Sequence, residues 1–482
     1  MKKIQITFAG LIFIISAHAQ NDVDALRYSQ TSFGGTARFV SMGGSMGALG
    51  GDISTLGVNP AGIAIYRKSE FTISPSFFTQ KTSSNYNNIN LSNQKSNFNL
   101  GNIGLVATIN FDDQNNSGWK SINFGIGYNL SNNFNNRINI QGANKTSSII
   151  DTYVADASGN RASNFDLFST NLAWQTYLIN PNTNDSLHYH SVIKNYGELQ
   201  QKSIEKSGSM GETNISFGGN FKNKIYLGAS VGIVDVNYIE QSVYQEIDDK
   251  DTIQGFKSLS LTQNLTTKGT GANFKFGVIV KANEWLRIGG AIHTPTTIHL
   301  TDYYSSSMNT DVDSGKVYNN ASPNGKFNYS VVSPFKAIGS LGFVIEKRAL
   351  INVDYEYINY AAMQLHSSPE VFTDINNSIR SNYTSTSNLR VGGEIRFDPL
   401  AFRLGYALYG SPYNNGQNVN ATKTSYTAGI GFRQNNYFID FAYAFTMYTA
   451  YDYLYDPTGL NLNSVKNEYS SSNFMLTLGL KF

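Results

Sequence analysis

The chain contains no cysteine. That excludes a disulfide scaffold, thiolate zinc sites and cysteine nucleophiles. Charge is scarce as well: only 15% of the 482 residues are Asp, Glu, Lys or Arg, against about 25% in an average soluble domain. A strongly charged disordered chain is thereby excluded. The formal net charge of +2 gives no clustered basic face and no case for nucleic acid. Proline is rare, at 10 residues, against 43 glycines. After the first twenty residues no apolar run reaches the roughly 18 needed for a transmembrane helix. Asn, Ser, Thr, Tyr and Gly supply the bulk instead, and these suit strands and long loops.

The first nineteen residues read as an address. Lys2 and Lys3 precede the mostly apolar run 4–15, and Ala17-His18-Ala19 supplies a small-residue cleavage site. This is the layout of a secretory signal, with mature protein expected from Gln20. Loss of the two lysines brings the 36 basic residues level with the 34 acidic ones.

From Glu70 onward, segments alternate with period two. Phe474, Leu476, Leu478, Leu480 and Phe482 share one face, with Thr477, Gly479 and Lys481 on the other. Residues 437–445 and 389–397 repeat the pattern. Alternation makes one face apolar, either for a sandwich core or for lipid. Link lengths decide between them. Turn signals divide the chain into fourteen strands, near 69–80, 97–112, 118–140, 195–222, 224–246, 253–282, 285–304, 323–347, 349–364, 383–398, 399–412, 420–435, 437–454 and 467–482. Links after even strands are short, at 113–118, 223, 283–284, 347–348, 398–399 and 435–436. Those after odd strands are longer and polar: 81–96, 141–194, 305–322 and 413–419. Short and long links in alternation mark an outer-membrane barrel. The fold class expected is all-β: a transmembrane antiparallel barrel of about fourteen strands, projecting beyond the bilayer. Within the long external loop 141–194, residues 146–178 look partly helical, an apolar cap over the mouth.

Fourteen strands lie between the filled eight-stranded barrel and the open channel of sixteen or more, so the lumen needs a plug. Residues 20–68 lack strand alternation and offer one, with a short helix at 24–30 capped by Asp22, followed by a glycine cluster. The element Gly51-Asp52-Ile53-Ser54-Thr55-Leu56-Gly57-Val58-Asn59-Pro60-Ala61-Gly62 resembles the N-terminal hatch of the long-chain fatty acid transporter family (FadL/TodX type). It is most similar to a branch common in Bacteroidetes whose members are often labelled haemin receptors. Residues 25–30, 35–38 and 287–295 resemble that branch as well. The resemblance implies a barrel plugged by a hatch, passive inward transport of hydrophobic molecules, and a lateral opening at a kink in the third strand, for which the Asn-rich stretch 132–139 is the candidate.

Gating residues expected from the hatch are Gly50, Gly51, Asp52, Asn59, Pro60, Ala61 and Gly62. Lumen candidates are His293, which alternation points inward ahead of the ladder-breaking Pro295, and Arg390, Glu394, Arg403, Arg433 and Asp440. With Asp354, Glu356 and Arg396, these acids and bases are expected to form ion pairs holding barrel and plug, or to meet a ligand carboxylate. Gly44-x-x-Gly47-x-x-Gly50 lacks the Lys-Ser/Thr ending of a nucleotide loop. His188-x-His190 lies in a polar loop and reads as solvated rather than metal-binding. No cofactor, metal or catalytic residue is expected, and the protein is not read as an enzyme. A lipase would need a Ser–His pair at the rim, and His293 has no obvious partner. The expected partners are a hydrophobic small molecule, outer-membrane lipid and lipopolysaccharide, and the barrel assembly machinery acting through Phe482, with the protein a monomer in the Gram-negative outer membrane. The alternatives are a type IX secretion shuttle barrel that binds exported signal domains, and uptake of haem or an aromatic hydrocarbon.

Overall fold

The structure, a computed structural model, describes residues 21–111, 117–312, 315–346, 348–369 and 371–482. The expected signal segment lies outside them. Fourteen antiparallel strands close into a barrel. These are β1 (Glu70–Tyr86), β2 (Ile89–Asn110), β3 (Trp119–Asn133, resuming as Asn136–Ala143), β4 (Leu199–Phe221), β5 (Ile225–Ile247), β6 (Ser258–Lys281) and β7 (Leu286–His293 and Thr297–Val312). They continue with β8 (Lys316–Ala321, Gly325–Val332 and Lys336–Ile345), β9 (Ala349–Asn359), β10 (Ser385–Phe397), β11 (Leu400–Tyr409), β12 (Lys423–Gln434), β13 (Tyr437–Asp452) and β14 (Val465–Lys481). β14 pairs with β1 from Lys481↔Glu70 upward and closes the ring.

Alternation sorts the side chains. Phe124, Ile126, Ile215, Phe217, Phe274 and Phe276 stand exposed on the outer wall, as do Ile439, Phe441, Leu476 and Leu478. So broad an apolar belt belongs in a bilayer. No helix among the described residues is long and apolar enough to cross a membrane.

Two expected loops are strands. β1 and β2 run on through 81–96 to a turn at Asn87 (φ 47°) and Asn88 (φ 67°), the left-handed pair of a tight hairpin. Likewise 305–322 is largely a β7–β8 hairpin, from Ser307↔Ala321 to Val312↔Lys316. The chain above the bilayer is wet on both faces, so its alternation disappears while its ladder persists. Of the two remaining expected long links, 141–194 carries α3 (Ile149–Ala157), α4 (Thr170–Gln175) and a small hairpin at 179–191. His188 sits on that hairpin and bonds Asp185 at 2.7 Å, a carboxylate its polar surroundings had not suggested.

Three strands are interrupted. β3 breaks at 134–135, β7 at 294–296 around Pro295, and β8 at 333–335 around Pro334. Between β7 and β8 the break is spanned by Ser333, whose N–H donates to the Thr296 carbonyl while its Oγ accepts the Thr296 N–H, each at 2.9 Å.

The segment 21–68 lies inside the barrel. It starts with α1 (Asp22–Ser29), capped by Asn21 in a reciprocal box with Asp24, so the cap is one residue earlier than the expected Asp22. After α2 (Ala37–Ser41) come two 3₁₀ turns, Ile53–Gly57 and Pro60–Ile65. Ala25, Leu26 and Tyr28 are buried against Phe134, Tyr238, Tyr329 and Tyr360. Asp22 accepts a hydrogen bond from Asn382 of α5 (Thr373–Asn382), an external helix, at 2.9 Å. Burial pushes the Asp24 carboxyl up in pKa, and the paired Arg27 pulls it back.

Candidate functional site

The lumenal segment is held to the wall by local chemistry at each turn. Asn59 caps the second 3₁₀ turn, its Oδ1 accepting the Ala61 N–H at 3.1 Å, with Pro60 at the first helical position. Its Nδ2 donates to Gly47 O at 2.7 Å and Val278 O of β6 at 3.3 Å. Asp52 caps the first turn through Ser54 N at 3.0 Å and accepts Thr36 Oγ1. Gly50, at φ +59°, turns the chain where any Cβ would sit 2.7 Å from the Gly62 Cα. Gly51 N–H closes the loop on Gly62 O at 3.0 Å. The seven expected gating residues therefore form one knot, with Pro60 and Ala61 pressed against Gly228 of β5.

The charged lumen candidates fall into two groups. Glu394 accepts from Arg38 of α2 at 2.9 Å, from Arg403 at 2.6 Å and from Arg396 at 2.6 Å, and Arg403 also reaches Asp440 at 2.6 Å. This cluster is buried and joins the segment to β10, β11 and β13. Arg433 is the exception: it forms no ion pair with a described residue, and its guanidinium lies 5.4 Å over the Phe438 ring. The second group lines a cavity of about 110 Å³ between the wall and the segment, which contributes Ser29, Phe33, Ser54 and Val58. Here Arg390 pairs with Glu356 at 3.3 Å, Lys275 pairs with Glu212, and His293 Nε2 donates to Val58 O at 2.8 Å. Lys336 bonds only Thr31, at 2.9 Å, and makes no ion pair with a described residue. Asp354 meets no arginine directly; it accepts the Met46 and Gly47 backbone N–H groups at 3.1–3.2 Å.

Sequence reasoning missed Arg38, Glu212, Lys275 and Lys336. The lysines were findable, because Lys275 sits in inward phase between the outward Phe274 and Phe276.

The wall beside these cavities is not fully laddered. β2 pairs with β3 only from Asn102↔Asn129 to Asn110↔Ser121. Above that, β2 pairs with β1 alone and the upper half of β3 with β4 alone. Side chains span the seam: Asn133 Nδ2 donates to Asn97 Oδ1 at 3.3 Å, and Asn139 Nδ2 to Asn93 Oδ1 at 3.0 Å. The break in β3 has a local cause. Asn133 Oδ1 takes the Asn135 N–H at 3.0 Å, diverting backbone from the ladder. Phe134 turns into the lumen against Tyr238, at 5.2 Å between rings. The lumenal segment touches the wall just below this break, where the Ser32 N–H donates to Ser131 O at 2.8 Å.

Over the mouth, two buried acids tie the external links together. Glu246 accepts from Ile149 N, at the start of α3, at 2.9 Å, and from Tyr244 at 2.6 Å. Gln200 Nε2 lies within reach of both Glu246 (3.1 Å) and Glu198 (3.3 Å). Burial, with the nearby Glu246 charge, pushes the Glu198 carboxyl up to about 8.

Comparison with solved structures places this geometry. A Pseudomonas aeruginosa FadL homologue matches 94% of this chain and 100% of its own, with TM-score 0.57 at 12% identity. The Pseudomonas putida toluene transporter TodX matches 94% and 99%, with TM-score 0.51 at 12% identity. The CymD monoaromatic hydrocarbon channel matches 93% and 98%, with TM-score 0.50 at 10% identity. The chain has the fold of these channels. No family model matches it, and no curated protein matches it in sequence.

Proposed function

We propose that this barrel carries hydrophobic small molecules, of the long-chain fatty acid type, passively across the outer membrane. The segment 20–68 is its hatch, and the seam between β2 and β3 is its lateral exit. The observation that carries this reading is the seam itself: a stretch of wall without a backbone ladder, beside a chamber closed below by a segment stapled to the lumen. The fold shared with channels named for hydrophobic substrates supports it. In the proposed sequence, ligand enters under the external cap, rests above the hatch with its head group near the spare ammonium of Lys336, and leaves between β2 and β3. The driving force is the transfer of apolar surface from water to pocket to bilayer, about 25 cal/mol per Å². No energy-coupling device is required, and the protein is read as a transporter without enzymatic activity.

The absence of cysteine makes the test clean. Asn97→Cys with Asn133→Cys, joined by a short reducible thiosulfonate linker, should block uptake of labelled oleate, and reductant should restore it. Uptake that persists with the linker in place would overturn lateral release through this seam.

A further inference from the structure

Beside the hatch, which contributes Arg27, Gln30, Thr31 and Ser32 to its lining, and beside the β2–β3 seam lies a second chamber of about 280 Å³. Its far side is made where the wall is lowest. β9 ends at Asn359, β11 ends at Tyr409 and β12 begins at Lys423, while β13 runs on to Asp452. Tyrosines crowd this side. Tyr448 and Tyr469 stack at 4.5 Å with 12° between their planes. Lys423 points its ammonium at two rings, 5.9 Å from the Tyr409 centroid and 5.6 Å from that of Tyr448. This ammonium makes no hydrogen bond or ion pair with a described residue. The other cations at the chamber are both satisfied: Arg27 pairs with Asp24, and Lys206 with Glu240 at 3.5 Å. Among the described residues no carboxylate lines the chamber. Asp452, at the end of β13, is held by Asn467 Nδ2 at 2.9 Å.

We propose that this chamber is a binding site for aromatic anions, that is, planar one- or two-ring molecules bearing a carboxylate. A desolvated ammonium without a counter-ion is costly, and a ligand carboxylate removes that cost. The ring faces around it accept a flat π-system edge-on or in offset stacks, while the Asn and Ser edges give a flexible alkyl tail little apolar surface. The volume suits the size: a cavity of about 150 Å³ already holds a benzene. The inference goes beyond the uptake reading by naming a second ligand class, at a chamber other than the one beside Lys336. Equilibrium binding needs neither hatch movement nor lateral release, so the two readings fail separately.

The test uses the purified full-length protein in detergent, with 2-naphthoate and its neutral counterpart 2-naphthamide as probes, read by fluorescence. Naphthoate should bind about tenfold or more tightly than naphthamide, the ratio expected of one charge-assisted contact. K423M should abolish that preference and leave naphthamide binding within about twofold, whereas Y448L should weaken both probes. K423R keeps the cation and should retain the preference, which guards against a folding defect in the methionine variant. Equal affinity for the two probes in the wild type, or an undiminished preference in K423M, would overturn the proposal.

Discussion

Arg38→Met tests how the proposed hatch is held. Arg38 spends its guanidinium on Glu394 of β10, through Nε at 2.9 Å and Nη2 at 3.4 Å, and on Gly51 O at 3.1 Å. Methionine keeps the apolar stem and deletes these contacts. Glu394 would still be held by Arg396 and Arg403, each at 2.6 Å. The roughly 3–5 kcal/mol penalty for orphaning a buried charge therefore does not apply. What is lost is a charge-assisted link worth about 1.5–3 kcal/mol. If seated and released hatch states are in equilibrium, this shifts their ratio roughly 10- to 150-fold toward release. Planar-bilayer recordings should show the open fraction rising by that order, with thermal unfolding of the barrel nearly unchanged. A channel as silent as the wild type would refute the claim that Arg38 anchors a movable plug. Collapse of barrel unfolding with no added conductance would refute it from the other side.

Two further substitutions probe the same reasoning elsewhere. Gly228→Val puts a side chain where a Cβ alone would lie 2.3 Å from the Pro60 carbonyl, so overpacking of about 1–3 kcal/mol should lift the Asn59–Gly62 knot and raise leak to small solutes in a liposome-swelling assay. In the cap, Glu198 holds its proton up to about 8, against 4.5 for a free glutamate, so the closed cap binds a proton that an opened one releases. Cap stability is therefore greatest below about pH 4.5 and falls as pH rises toward 8, at up to about 1.4 kcal/mol per unit. Protection factors in 149–157, corrected for the intrinsic rise of amide exchange with pH, should fall across that range, and Glu198→Gln should flatten that fall.

How much of this was legible beforehand follows from where water lies. Within the bilayer, Phe274 and Phe276 face lipid while Lys275 faces the lumen, so period two survives in the sequence and fourteen strands could be counted. Above the bilayer both faces of 81–96 are polar, and strand and loop read alike. The break at Pro295 was visible because proline cannot donate to a ladder; the break at 134–135 was visible only as an excess of asparagine. Glu394 could be marked as inward, but its partner Arg38 lies 356 positions away, and no local pattern links them. The tyrosine chamber was hidden for the same reason: Tyr409, Lys423, Tyr448 and Tyr469 are neighbours only once β11 to β14 are side by side.

Among the described residues the seam between β2 and β3 is fastened in two ways, by amide pairs and by one ion pair, Lys95 of β2 with Glu205 of β4 at 3.0 Å. Each amide there carries both donors and an acceptor, so Asn93, Asn97, Asn133 and Asn139 are interchangeable teeth. If one strand slides past the other, a tooth that loses its partner meets another of the same kind. The amide teeth part and re-engage without gaining or losing a proton, while the Lys95–Glu205 pair is the fastening that salt outside would loosen. Fresh and brackish surroundings would therefore act on the ion pair and leave the amide teeth as they are.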